Sequence, residues 1–363
     1  MRVLVTGSHG YIGTILAPML ERAGHSVTGM DTDLYAACDY GRAPVHPRTI
    51  AKDIRSAERG DLAGFDAVIH LAGLSNDPLG FLDPELTYDI NHRASVRLAE
   101  LAKAAGVSRF LYSSSCSTYG ASGDGYLDEN GVFNPVTPYG ISKALVERDL
   151  PAMADDGFSP VYLRNATVYG YSPRLRFDLV VNNLTAWAYC TGHVQMKSDG
   201  QPWRPLVHVE DVAAAFTALL TAPRELVHNR PFNVGRTSEN YRVREVAEMV
   251  AAAVPGSKCS FAPGASPDSR NYRVDCGRIE REIESYRPRW TVAEGVREVH
   301  AKYRELGLSV EEFEGPKYKR VDHIRQLIQA GVLDESLRRI DGRTLDLREN
   351  VRAAVGGAAP HHV

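Results

Sequence analysis

The chain has 363 residues, 44% hydrophobic and 24% charged, with a formal net charge of −3. These values describe a globular chain with ample core, and they argue against a nucleic-acid or anionic-membrane partner, which would favour a strong basic excess. No apolar run approaches the roughly 20 residues of a membrane span. The five cysteines, Cys38, Cys116, Cys190, Cys259 and Cys276, lack CxxC spacing. Neither a disulfide framework nor a metal site is therefore expected, and with no secretory leader in view the expected compartment is the cytoplasm.

The first segment, Arg2 to Thr6, is apolar and β-branched, as one buried strand should be. "TGSHGYIG" (6–13) follows, then Ile15, Leu16, Met19 and Leu20 recur at helical spacing up to Gly24. "HSVTGMD" reads as a second strand ending in Asp31. Glycines in a strand-to-helix turn have distinct uses: Gly7 for the tight turn, Gly10 for close approach of a phosphate, and Gly13 for close packing of the helix. The helix N-terminus offers N–H groups and partial positive charge to a pyrophosphate, and Asp31 is placed to hold a ribose diol. Dinucleotide binding is the expectation. With Asp31 followed by Thr32 and Asp33 rather than by a cation, that dinucleotide should be NAD.

Strand-like and helical runs then alternate: 67–73, 93–106, 109–115, 141–150 and 161–170. Alternation of this kind predicts an α/β fold, a Rossmann-type doubly wound parallel sheet with ligands beyond the C-terminal strand ends. The expected cofactor wall adds Tyr11, Ile12, Asp53, Ile54, Leu71, Ala72 and Gly73 to the glycines and Asp31. A cofactor domain over 1–170 is expected, to which the chain returns around 205–240, with "RPFNVGR" (230–236) as a late return to the sheet. Residues 171–302 should form a smaller C-terminal lobe that binds substrate. Residues 303–363 should be a helical extension, since Val321, Ile324, Leu327 and Ile328 share one stripe. Its end, "AAVGGAAPHHV", is expected to be disordered.

"SSSCSTYG" (113–120) closes a strand at the expected cofactor edge, and "YGISK" places Tyr139 and Lys143 four apart. On a helix the phenol and the ammonium share a face, and a cation beside a phenol favours the phenolate. Tyr139 would then act as a general base on an alcohol or sugar hydroxyl, with Ser115 hydrogen-bonded to the same oxygen. His70 and His208, in apolar strands, read as structural. Ser75 and Asn76 follow the fourth strand, where a sugar ring could lie, although Asn and Asp before a Pro also mark a plain turn.

Together, "TGSHGYIG", "HLAG" (70–73), "SSSCSTYG", "YGISK", "LRNATVYG", "PWRPLVHVEDVA" (202–213) and "FNVG" (232–235) resemble, in consistent order, the extended short-chain dehydrogenase/reductases. The similarity is to their nucleotide-sugar epimerase and dehydratase branch and covers roughly residues 1–300. It implies a catalytic Ser115–Tyr139–Lys143 set, bound NAD, a nucleotide-sugar substrate and a homodimer built on the helices near 93–106 and 139–150. It also implies substrate contacts at Asn165, Asn183 and Arg204. A further family arginine is missing from "GASPDSRNYRVD", where Arg270 or Arg273 stands in. The family's 4,6-dehydratases carry a carboxylate pair, or at least a glutamate, just after the catalytic serine or threonine, and here those positions are Cys116 and Ser117. Ser117 is taken as a substrate contact, and Cys116 is left open as a base. Epimerisation is the expected reaction, with a 4,6-dehydratase or a net dehydrogenase as alternatives. A sensor or scaffold role would not need the base.

Overall fold

The computed structural model describes residues 1–75, 80, 83–196, 199–261 and 270–340. Strands β1 (Arg2–Thr6), β2 (Ser26–Asp31), β3 (Thr49–Ala51), β4 (Ala67–His70) and β5 (Arg109–Ser115) enter one sheet, which β6 (Ala121–Leu127) leaves and β7 (Ser159–Asn165) rejoins. β8 (Thr167–Tyr169), β9 (His193–Met196) and β10 (Trp203–His208) lie outside it, and β11 (Arg230–Val234) returns as its edge. The order is β11-β7-β5-β4-β1-β2-β3, all parallel. Chain direction across the sheet reverses between β1 and β4, the position where open α/β sheets bind ligands.

Alternation along the strands covers both faces. Val3 and Val5 point to one core with Leu16 and Leu20 of α1 (Gly13–Arg22) and Phe216 and Leu219, while Leu4 points to the other with Leu98 and Ala102. Leu98 and Ala102 belong to α2 (Ala94–Ala104), and Val146 of α3 (Pro138–Asp149) joins them. Ile324 and Leu327 of α4 (Arg320–Gln329) bury their stripe in this second core, with Val321 and Ile328 packed against it. At about 1.5–3 kcal/mol for each fully buried aliphatic side chain, the extension is fastened to the sheet, not tethered beside it.

One sequence expectation is corrected. The run 161–170 is not one strand: it divides at Ala166, and β8 pairs with β10, which in turn pairs with β12 (Asn240–Arg242), in a separate three-stranded sheet. Residues 205–208 belong to that small sheet, and the return to the large one is β11, within "RPFNVGR" as expected. β13 (Lys258–Phe261) pairs with β9, and β14 (Asn271–Val274) with β6. The terminal segment expected to be disordered and the expected contact Asn76 lie outside the described residues.

Candidate active site

A cavity of about 720 Å³ opens at the C-terminal ends of the strands, over the reversal point. The structure brings to it Gly7, Gly10, Tyr11, Ile12, Gly13, Asp31, Asp53, Ile54, Leu71, Ala72, Gly73, Ser75, Ser115, Ser117, Tyr139, Lys143, Asn165, Arg204 and Arg270. Asn183 does not line it. Its side-chain amide donates to the Phe177 carbonyl at 2.8 Å, so this asparagine braces the loop before its helix instead of facing a ligand.

The glycine turn is tight for identifiable reasons. Gly7 has φ +72°, and a Cβ there would come within 2.7 Å of the Ala72 nitrogen. A Cβ at Gly13 would collide with the Gly7 and Ser8 carbonyls, so the helix can start this close to the strand only without one. Asp31 accepts the His9 N–H at 2.9 Å and the Asp33 N–H at 2.7 Å, fixing the turn to the second strand. Burial pushes the Asp31 carboxyl up, against the pull of His9. Asp53 accepts from the backbone and guanidinium of Arg55 and so shapes the turn under Ile54. Tyr11 lines the cavity while its ring packs in the core and its hydroxyl donates to the Gly170 carbonyl at 2.6 Å.

On the opposite wall, Thr137 caps α3 by accepting the Gly140 N–H, and Pro138 fits the first turn. Tyr139 and Lys143 then project one turn apart. The Lys143 ammonium donates to the Ser113 carbonyl at 2.7 Å, lies 4.7 Å from the Tyr112 ring centre and 5.7 Å from that of Tyr139. Burial draws Lys143 down to about 7, with the Glu147 carboxylate pulling the other way. Glu147 itself is committed to Arg164, at 2.7 Å, and to the Ser114 hydroxyl. Ser115 faces the cavity and accepts the Ser117 N–H at 3.1 Å.

Cys116 is corrected as a candidate base. It is fully buried and away from the cavity wall, its thiol donates to the Arg164 carbonyl at 3.1 Å, and burial pushes its pKa far above the ordinary thiol value. The sequence places it next to Ser115, but the 3-10 turn at Cys116–Tyr119 rotates it inward.

At the far end, Asn165 donates to Ser113 Oγ at 3.0 Å, leaving its Oδ1 buried without a hydrogen-bond partner among the described residues; Ser117 Oγ is in the same condition. Arg204 is held by the Trp203 carbonyl at 2.7 Å and by the Arg270 carbonyl, beside Tyr272. Sequence reasoning missed Arg176 and Asp178. Arg176 grips Asp178 with two hydrogen bonds, at 3.0 and 2.8 Å, and Ser75 with two more at 3.0 Å. Desolvation opposes ionisation of Asp178, but the Arg176 guanidinium outweighs it and holds the carboxyl at about 2. Only the arginine-rich composition of "SPRLRFD" hinted at these two, since no spacing ties them to a motif.

The walls suit ligands that carry diphosphates. Lys52, Arg55, Arg174, Arg176, Arg204, Arg270 and Arg320 line the cavity against Asp31, Asp33, Asp53 and Asp178, in a chain whose net charge is negative. The glycine turn at the start of α1, which lines the cavity through Gly7, Gly10 and Gly13, and the unpartnered oxygens of Asn165 and Ser117 fit a dinucleotide at one end and a second polar ligand at the other. Comparison with known proteins agrees. Residues 3–235 match the NAD dependent epimerase/dehydratase family. A UDP-glucose 4-epimerase from Mycolicibacterium smegmatis is 31% identical over 82% of this chain and 96% of its own length. A dTDP-glucose 4,6-dehydratase from Streptomyces griseus is 29% identical over 83% and 93%. The structure of MoeE5 in complex with UDP-glucuronic acid and NAD superposes with a TM-score of 0.72 at 28% identity, covering 84% of this chain and 99% of that one. The chain is an NAD-using enzyme and belongs to the NAD dependent epimerase/dehydratase family.

Proposed function

We propose that the protein is a nucleotide-sugar epimerase that inverts a hydroxyl-bearing ring carbon, most simply C4, through a transient keto-sugar. The observation that carries this reading is the wall around Ser115: it holds Tyr139 and Lys143 but no carboxylate at the two following positions, where Cys116 is turned into the core and Ser117 is neutral. NAD supplies a hydride acceptor that returns the hydride. Tyr139 takes the hydroxyl proton, Lys143 favours the phenolate, and Ser115 orients the sugar oxygen. Asn165, Arg204 and Arg270 hold the substrate diphosphate. Elimination of water would need an acid and a base beside Ser115 with pKa values near the working pH, and neither neighbour supplies one.

The likeness to a 4,6-dehydratase makes loss of water the competing outcome. Incubation with a panel of nucleotide sugars, followed by mass spectrometry, tests the reading: an isomer of unchanged mass supports it, and a product lighter by one water overturns it. No helix among the described residues is long and apolar enough to cross a membrane. The reading places the enzyme in the cytoplasm as a homodimer through α2 and α3, on which Val96, Leu101, Ile141 and Leu145 are only partly buried. Sedimentation at micromolar concentration tests that assembly, and a monomer would contradict it.

A further inference from the structure

The family match ends at residue 235, yet two residues of the C-terminal extension, Arg320 and Leu337, reach the cavity wall. The extension grips the loops that carry the expected adenosine contacts. His323 hydrogen-bonds the Leu34 carbonyl at 3.0 Å, Tyr318 donates to the Asp39 carbonyl at 2.9 Å, and Arg338 donates to Ser56 Oγ at 2.9 Å. Leu34 follows Asp31, and Ser56 follows Asp53.

Arg320 differs from its cationic neighbours. Arg174 is paired with Asp33 at 3.2 Å and with Asp39 at 3.1 Å, and Arg176 with Asp178. The Arg320 guanidinium lies 4.2 Å from the Tyr35 ring centre, but among the described residues no carboxylate comes within ion-pair distance of it. Burial lowers its pKa, with Arg176 adding to the effect and Tyr35 and the more distant Asp178 opposing it. A half-buried cation in the cavity wall with no carboxylate in ion-pair contact among the described residues is free to meet an anionic ligand there.

We propose that Arg320 binds a phosphate of the dinucleotide cofactor, and that the extension, through Leu337, closes the adenosine end of the cavity over it. A nucleotide sugar also carries a diphosphate, but Arg320 stands on Tyr35, in the loop after Asp31, whereas Asn165, Arg204 and Arg270 lie on and beside β7, β10 and β14. The inference rests on NAD binding in this cavity and not on which reaction follows.

Calorimetric titration of the full-length apoprotein with NAD, and separately with UDP as a probe of the sugar-nucleotide end, tests it. Arg320→Ala should weaken NAD binding by about tenfold or more, the usual effect of losing a charge-assisted contact, and leave UDP binding unchanged. Arg320→Gln, which keeps the stem on Tyr35 but not the charge, should show the same loss if the alanine variant folds poorly. Arg320→Lys should recover most of the affinity. Unchanged NAD affinity in the uncharged variants would overturn the proposal, as would a loss confined to UDP.

Discussion

The Lys143 ammonium lies 5.7 Å from the centre of the Tyr139 ring and donates to the Ser113 carbonyl of β5. A free phenol is almost wholly protonated near neutral pH, since its ordinary pKa is about 10, and a protonated phenol cannot act as a base. A fixed cation one turn away stabilises the phenolate, and the carbonyl prevents the lysine from swinging out to solvent. Tyr139→Phe keeps the ring and removes the proton acceptor. Turnover should fall by about 100-fold or more while NAD binding survives, as measured by steady-state kinetics and titration. Near-normal turnover would remove Tyr139 from the mechanism.

Lys143→Met keeps the aliphatic stem and deletes the charge. Tyr139 then loses the cation that favours its phenolate, so the rate should start to rise at a higher pH than in the wild type. A pH–rate profile checks this. A uniform drop with no displacement of the profile would assign Lys143 a packing role alone.

Cys116→Ala removes a buried thiol that packs with Tyr119, Tyr272, Val274 and Cys276. The expected outcome is a loss of about 1 kcal/mol or more in denaturant unfolding, with turnover within a fewfold of wild type. A collapse of turnover without loss of stability would return Cys116 to the chemistry.

His70 is fully buried, with Nδ1 at 2.6 Å from Thr6 Oγ1 and Nε2 at 2.7 Å from Ser95 Oγ, and burial lowers its pKa to about 3. The unfolded histidine takes up a proton near 6.5 and the folded one does not. Stability is therefore present in full above pH 6.5 and falls as pH drops from 6.5 toward 3, by up to about 1.4 kcal/mol per unit from this one group. His70→Asn should flatten that part of the stability–pH curve measured by denaturant unfolding. An unchanged slope would mean that other groups set the acid limit.

Much of the fold can be read from local signals. The strand-like runs at 2–6 and 109–115 coincide with β1 and β5, whose central residues are buried on both faces. The division at Ala166 was not visible, since strand-forming residues continue through it and only the partner strands differ: β7 takes β5 and β11, while β8 takes β10. The site divides similarly. Gly7, Asp31, Tyr139 and Lys143 sit in motifs whose spacing carries their geometry. Arg176 and Arg320 reach the same cavity from a loop and from a remote helix, where nothing local marks the destination. Cys116 shows the opposite failure, because adjacency to Ser115 in the chain says nothing about which way a 3-10 turn rotates it.

The central claim is that the hydride taken from the sugar carbon returns to that same carbon. A nucleotide sugar labelled with deuterium at the reacting carbon, C4 in the simplest case, tests it by mass spectrometry and NMR of the product. Epimerisation predicts an isomer of unchanged mass with the label still on C4. A product lighter by one water, with the label moved from C4 to C6, or a product that has lost the label to released cofactor, would contradict it.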